Sequence, residues 1–303
     1  MNIMTESTET SNERRCISSE SISLGSIRSI PITLHYSFFL LLIVELFISL
    51  RYTMYPMYIL FILILYGPIL LFTVVVHELG HAFTTKKMGG QVEGITLWPL
   101  GGFAVCGPTE CGLVGDLKVA VMGPAMHIPM GLIWWSVWLG LSGGEKGLWP
   151  SWVINLPAIS SSAAVFIGAL ASEAFYFNLM LFCFNLLIPA YPLDGGRIYA
   201  ASLILYAKLQ PMTAAKVTAA TAILLSLGMV LYAFIGYFTD MGGSGLLLGV
   251  VGLFIFSNSY DLWKAAKNND LDGHPIFGRR CYQSGGDAEA QEVPAQSDDA
   301  VIT

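Results

Sequence analysis

The stretch LFTVVVHELGHAF, residues 71 to 83, sets His77, Glu78 and His81 inside an almost wholly apolar run. Ionisable groups within an apolar span are costly, so such a cluster points to a site and away from a packing accident. In a helix, residues four apart share a face, so His77 and His81 project side by side and can both reach one cation. Glu78 stands beside them, where its carboxylate can take a proton from a nearby water. This is the H-E-x-x-H pattern, in which two imidazoles bind Zn²⁺ and the carboxylate serves as general base. The competing reading is a helix end with snorkelling polar groups.

A catalytic zinc takes three protein ligands, so a third must come from elsewhere in the chain. The candidate is Asp194 in FNLLIPAYPLDGGRI, residues 184 to 198, where a carboxylate precedes two glycines. Pro189, Pro192, Gly195 and Gly196 would unwind that helix end, which a bilayer tolerates only where backbone lines a cavity. A plain turn carboxylate is the alternative for Asp194.

The elements that must position these groups follow from composition. The 303-residue chain is 54% hydrophobic and only 12% charged, which is a membrane balance. A net charge of −6 argues against a nucleic-acid partner, since phosphate binding needs clustered cations. Six apolar stretches, near His35–Leu50, Met57–Phe83, Val119–Leu141, Ser162–Ile188, Thr213–Phe238 and Ser244–Trp263, are expected to form about six transmembrane helices. The expected class is thus an all-α integral membrane protein. With an even number of crossings both tails share a side, and all Lys and Arg except Arg51 and Lys146 fall on it, which predicts cytoplasmic termini. His77, His81 and Asp194 then lie near the cytoplasmic ends of their spans and can share one depth.

After the second stretch, GGQVEGITLWPLGGFAV, residues 89 to 105, is too short to span and reads as a small β-hairpin. Residues 1–27 and 268–303 are polar, the second acidic, and are expected to be disordered tails around a membrane core over 28–267. Five cysteines without dense spacing, Cys16, Cys106, Cys111, Cys183 and Cys281, read as thiols and not as a disulfide framework.

Together the segments IPITLHYSFF, HELGHAF, PLGGFAV, GPAMH and FNLLIPAYPLDGGR resemble the site-2 protease family of intramembrane zinc metalloproteases. The resemblance covers nearly the whole membrane core. It implies that His77, His81 and Asp194 bind one Zn²⁺ and that Glu78 is the catalytic acid and base. It also implies membrane-protein substrates, cut within or near their transmembrane segments in the lipid bilayer. The family often has asparagine where this chain has His127, and its second asparagine usually stands closer to the proline than Asn185 does to Pro189. His127 and Asn185 are candidates for binding the scissile peptide. The chain resembles the compact form, without an inserted peptide-binding or regulatory domain.

A helical substrate hides its amides in hydrogen bonds and must unwind before attack. The hairpin around Gly101 and Gly102 is a candidate to hold the unwound segment by strand addition. Two other classes compete: an inactive relative that binds membrane proteins, and a metal-binding transporter. The transporter reading would expect paired broken helices, but only the fourth span carries a Pro/Gly break. Glu45, Glu173, His35 and His274 are read as packing, interfacial or solvated groups.

Overall fold

The computed structural model describes residues 21–50, 56–99, 101–106, 112–142, 148–150, 161–238, 245–271, 274 and 277. Helices dominate it. The first, α1 (Phe38–Ser49), is followed by a long span made of α2 (Pro56–Ile64), a π-helical turn (Leu65–Ile69) and α3 (Leu70–Lys87). Pro68 lies inside the π turn. Its missing N–H removes an α-type bond, and a π bulge is one way a helix absorbs that loss. The π turn ends about two turns before His77.

The next span is broken in the middle as well, beside Gly123 and Pro124, although the sequence pointed to a Pro/Gly break in the fourth span alone. Helix α4 (Gly112–Ala125) and helix α5 (His127–Ser142) meet at Met126, whose N–H reaches the Gly123 carbonyl at 3.1 Å. Pro124 sits in the last turn of α4, where it cannot donate to the ladder. Helix α6 (Ala163–Leu187) starts at Ser162, whose hydroxyl accepts from the Val165 N–H. Helices α7 (Asp194–Leu205), α8 (Pro211–Phe238) and α9 (Gly245–Lys267) complete the bundle.

Four helical stretches among the described residues are long and apolar enough to cross a bilayer: Met57–Lys87, Gly112–Ser142, Ala163–Leu187 and Pro211–Gly236. The sequence reading expected about six. The difference lies at the ends of the core. Helix α1 has 12 residues, about 18 Å of rise against a hydrocarbon core of about 30 Å. Helix α9 turns polar in its second half, with Asn258, Asp261, Lys264 and Lys267. Phe47, Leu224, Leu231 and Phe234 are all exposed, a surface that lipid solvates and water does not.

The expected hairpin is present as β3 (Val92–Trp98) and β4 (Gly101–Cys106), paired antiparallel with Leu97 opposite Gly102. It belongs to a larger sheet. Residues 21–27, read from composition as part of a disordered tail, form strand β1 (Ser21–Ile27), antiparallel to β2 (Ile30–His35); β2 in turn runs parallel to β3. Strand β1 is mostly exposed, so ladder hydrogen bonds hold it and little burial does. That is why a composition argument overlooks it. The order is β1-β2-β3-β4, which leaves β4 at an edge.

One face of this sheet is apolar. Ile30, Ile32, Leu34, Ile95 and Leu97 pack on Leu79 and Ala82 of α3. The same helix therefore turns Leu79 toward the sheet and the two histidines away from it. At the other side, Ala200, Ala214, Ala215 and Ala219 let α7 and α8 approach closely, and Leu271 and Phe277 join that cluster. The polar composition after residue 268 had suggested disorder there; two apolar anchors fix part of it. Neither Cys106 nor Cys183 is in a disulfide, and Cys16, Cys111 and Cys281 lie outside the described residues.

Candidate metal centre and active site

The two histidines meet edge to face on α3, with ring centroids 4.8 Å apart and Nε2 atoms 3.1 Å apart. Asp194, the first residue of α7, reaches them from across the bundle. Its Oδ2 lies 3.1 Å from His77 Nε2 and 3.2 Å from His81 Nε2. All three residues are buried, as is Glu78. Two segments far apart in sequence thus meet at one point.

The loop between α6 and α7 makes that approach possible. Ala190 is fully buried, and the Ser259 hydroxyl on α9 donates to the Tyr191 carbonyl at 2.8 Å. Gly195 and Gly196 press against the backbone of Ile188 and of Ala190–Tyr191, closer than any Cβ would permit. The glycine pair thus lets the start of α7 tuck under the loop, and Asp194 follows. Its other oxygen, Oδ1, accepts from Arg197 at 3.5 Å one turn along. One carboxylate oxygen faces the histidines and the other faces a cation.

Behind each imidazole stands a partner that sets its tautomer. His81 Nδ1 lies 2.8 Å from the Val119 carbonyl, which can only accept, so Nδ1 carries a hydrogen and, in the neutral ring, Nε2 a lone pair. His77 Nδ1 lies 3.0 Å from His127 Nε2, and His127 Nδ1 lies 3.1 Å from Asn178 Oδ1. His127 is 3% exposed and both its ring nitrogens are engaged by side chains. Asn185 donates to the Leu181 carbonyl of its own helix at 3.1 Å.

The donor set fits a zinc ion. A tetrahedral site with bonds of about 2.0–2.1 Å has donors roughly 3.3–3.4 Å apart. The three spacings here, 3.1, 3.1 and 3.2 Å, are close to that edge. In the neutral ring the His81 Nε2 lone pair and the Asp194 carboxylate face one another at 3.2 Å, as two ligands of one cation do. Space is reserved as well. A Cβ on Gly123 of α4 would collide with the His81 ring and stand 2.9 Å from His77 Nε2, so the cradle exists only because residue 123 has no side chain.

Glu78 faces the sheet edge. A Cβ on Gly102 would come within 2.7 Å of the Glu78 Cγ, and within 3.1 Å of Leu97 and Val74. Gly102 therefore lies directly on the carboxylate stem, and its neighbour Gly101 has a positive φ of 143° that suits the start of an edge strand. Of the residues singled out from sequence, His77, His81 and Asp194 converge, Glu78 follows His77 in the helix with Gly102 against its stem, and His127 stands behind His77. Gly123, Asn178, Arg197 and the Val119 carbonyl had not been singled out. GPAMH held the signal for Gly123, because a glycine beside proline in an apolar span invites a close-approach explanation.

Comparison with known proteins agrees with this geometry. The model of peptidase family M50 matches residues 66–231, more than half of the chain. Zinc metalloprotease MJ0392 of Methanocaldococcus jannaschii is 32% identical over 238 residues, covering 78% of this chain and 58% of that protein. Putative zinc metalloprotease Rip3 of Mycobacterium tuberculosis is 29% identical over 254 residues, covering 78% and 57%. The chain thus spans less than three fifths of the length of these relatives. The solved structure of a site-2 protease from Methanocaldococcus jannaschii superposes with a TM-score of 0.54 at 30% identity, over 80% of this chain and 95% of that one. With its long apolar helices, the chain is an integral membrane protein and belongs to peptidase family M50.

Proposed function

We propose that this chain is an intramembrane zinc metalloendopeptidase that hydrolyses peptide bonds within or near the transmembrane segments of membrane-protein substrates. The observation that carries the proposal is the meeting of His77 Nε2, His81 Nε2 and Asp194 Oδ2, each 3.1–3.2 Å from the others, although Asp194 is 113 residues from His81. Those three side chains would hold one Zn²⁺. When bound, such an ion polarises the scissile carbonyl and lowers the pKa of water at the site from 15.7 to about 7.

The rest falls to the chain's own residues. Glu78 takes the proton of the attacking water and passes it to the leaving amine. The Val119 carbonyl and His127 hold the two imidazoles in the tautomer that leaves Nε2 bare. Strand β4, which pairs only with β3 among the described residues, offers its open edge to an unwound substrate segment. A segment added there would pass the Glu78 carboxylate, because Gly102 rests on its stem. The site lies toward the side of the membrane that carries Lys86 and Lys87 at the end of α3, which we assign to the cytoplasm together with both termini.

The test uses the full chain reconstituted in vesicles with a membrane-protein substrate. Glu78→Gln should keep one zinc per chain and lose cleavage, whereas His77→Ala or Asp194→Ala should lose both. Substrates can be found by comparing membrane-protein fragments in cells with wild-type and Glu78→Gln protein. Cleavage persisting in Glu78→Gln would remove the general-base role.

A further inference from the structure

His127 and Asn178 are buried polar residues on two helices, and neither is accounted for by zinc ligation or proton transfer. Asn178 Nδ2 lies 2.8 Å from the Ala174 carbonyl. A carbonyl can only accept, so the amide NH₂ group must face it, and Oδ1 must face His127. Oδ1 likewise can only accept. His127 Nδ1, 3.1 Å away, therefore carries its hydrogen, and a neutral ring then has its lone pair on Nε2. That lone pair lies 3.0 Å from His77 Nδ1, which completes the bond only by donating. The hydrogen of His77 is thereby fixed on Nδ1 and its Nε2 is left bare, facing Asp194 and His81.

We propose that His127 and Asn178 are positioning residues: a directed hydrogen-bond relay, anchored on the Ala174 carbonyl, that fixes the tautomer and ring orientation of His77. The proposal rests on the reading of His77, His81 and Asp194 as a zinc site. Reversing the relay would set His127's lone pair against Asn178 Oδ1, two acceptors in contact. Asn178 is fully buried and His127 is 3% exposed, so no bulk water competes for these groups. The arrangement parallels His81, whose tautomer a backbone carbonyl sets directly. The second ligand reaches its carbonyl through two side chains, because α5 and α6 intervene. Outer partners of this kind typically govern metal affinity by 10–100-fold.

The test measures zinc affinity of the full chain in detergent micelles by chelator competition, with the absorption spectrum of the Co²⁺-substituted protein as a second readout. His127→Leu removes the acceptor and should weaken zinc by about 10–100-fold and alter the Co²⁺ bands. His127→Gln supplies an amide that can accept from His77 and donate to Asn178, and should hold zinc within about threefold of wild type. Zinc bound by His127→Leu as tightly as by wild type would overturn the relay, as would an equal loss in His127→Gln. If His127→Leu does not fold, nitrogen-15 spectra of the zinc-loaded wild type decide: hydrogens on Nδ1 of both His77 and His127 support the relay, and a hydrogen on His127 Nε2 overturns it. A wild-type chain without zinc affinity would instead overturn the metal site, and the relay with it.

Discussion

Replacing Gly123 with alanine adds a single methyl group to α4, yet it should abolish zinc binding. The new Cβ would stand 2.9 Å from His77 Nε2 and closer still to the His81 ring, where ordinary contact begins at about 3.4 Å. His77 Nε2 must retreat by about 0.5 Å and the His81 ring by more, whereas a zinc site tolerates roughly 0.2 Å in its ligand distances. Two of three protein ligands are thus displaced together. If the three protein ligands share a binding energy on the order of 10 kcal/mol, losing two costs about 7 kcal/mol, or about 10⁵-fold in affinity. Chelator competition on the purified chain measures this, and Gly140→Ala in α5 is the control, since no heavy atom lies within 4 Å of its Cβ. Zinc affinity in Gly123→Ala within tenfold of the control would refute the reasoning, because it would put the ion somewhere other than between these rings.

Two further outcomes are expected. Gly102→Val should drive a branched side chain into the Glu78 stem and block the β4 edge, lowering cleavage at least about 100-fold while zinc content stays at wild type; unchanged cleavage would separate β4 from the substrate. Burial pushes the His274 imidazole down to about 4, where the ring packs 5.5 Å from Tyr191 and 5.4 Å from Phe277. The unfolded segment protonates near pH 6.5, so the packing of His274 against Tyr191 and Phe277 is at full strength above that value and weakens as pH falls from about 6.5 to 4. Hydrogen exchange across that window should show the segment opening in wild type and much less in His274→Phe.

The chemistry was more legible than the architecture around it. HELGH brings its two imidazoles onto one face through a local period, four residues along one helix, and PLDGGR encodes a carboxylate at a helix start through glycine and proline. Such signals survive without knowledge of the neighbours. Asn178 carries no local mark: within EAFYFNLML it resembles any interhelical amide, and its meaning comes from a histidine 51 residues away. Strand β1 was hidden because its partner β2 supplies the stability that its Ser-rich composition lacks. Ile95 and Leu97, read as part of a simple hairpin, belong to a strand flanked on both sides, since Ile95 pairs with Ile32 and with Ala104. A proline there would unravel the whole sheet, whereas the outer strand can be altered alone.

The placement of His77 and His81 on α3 and of Asp194 on α7 bears on stability as well. An ion gripped at once by His81 and Asp194 ties off 113 residues of chain, much as a covalent bridge would. Chelation should therefore remove a rivet, and α7 with its glycine-tucked start becomes easier to pry from α3. Thermal melting in micelles should come earlier after chelation and recover on adding zinc back.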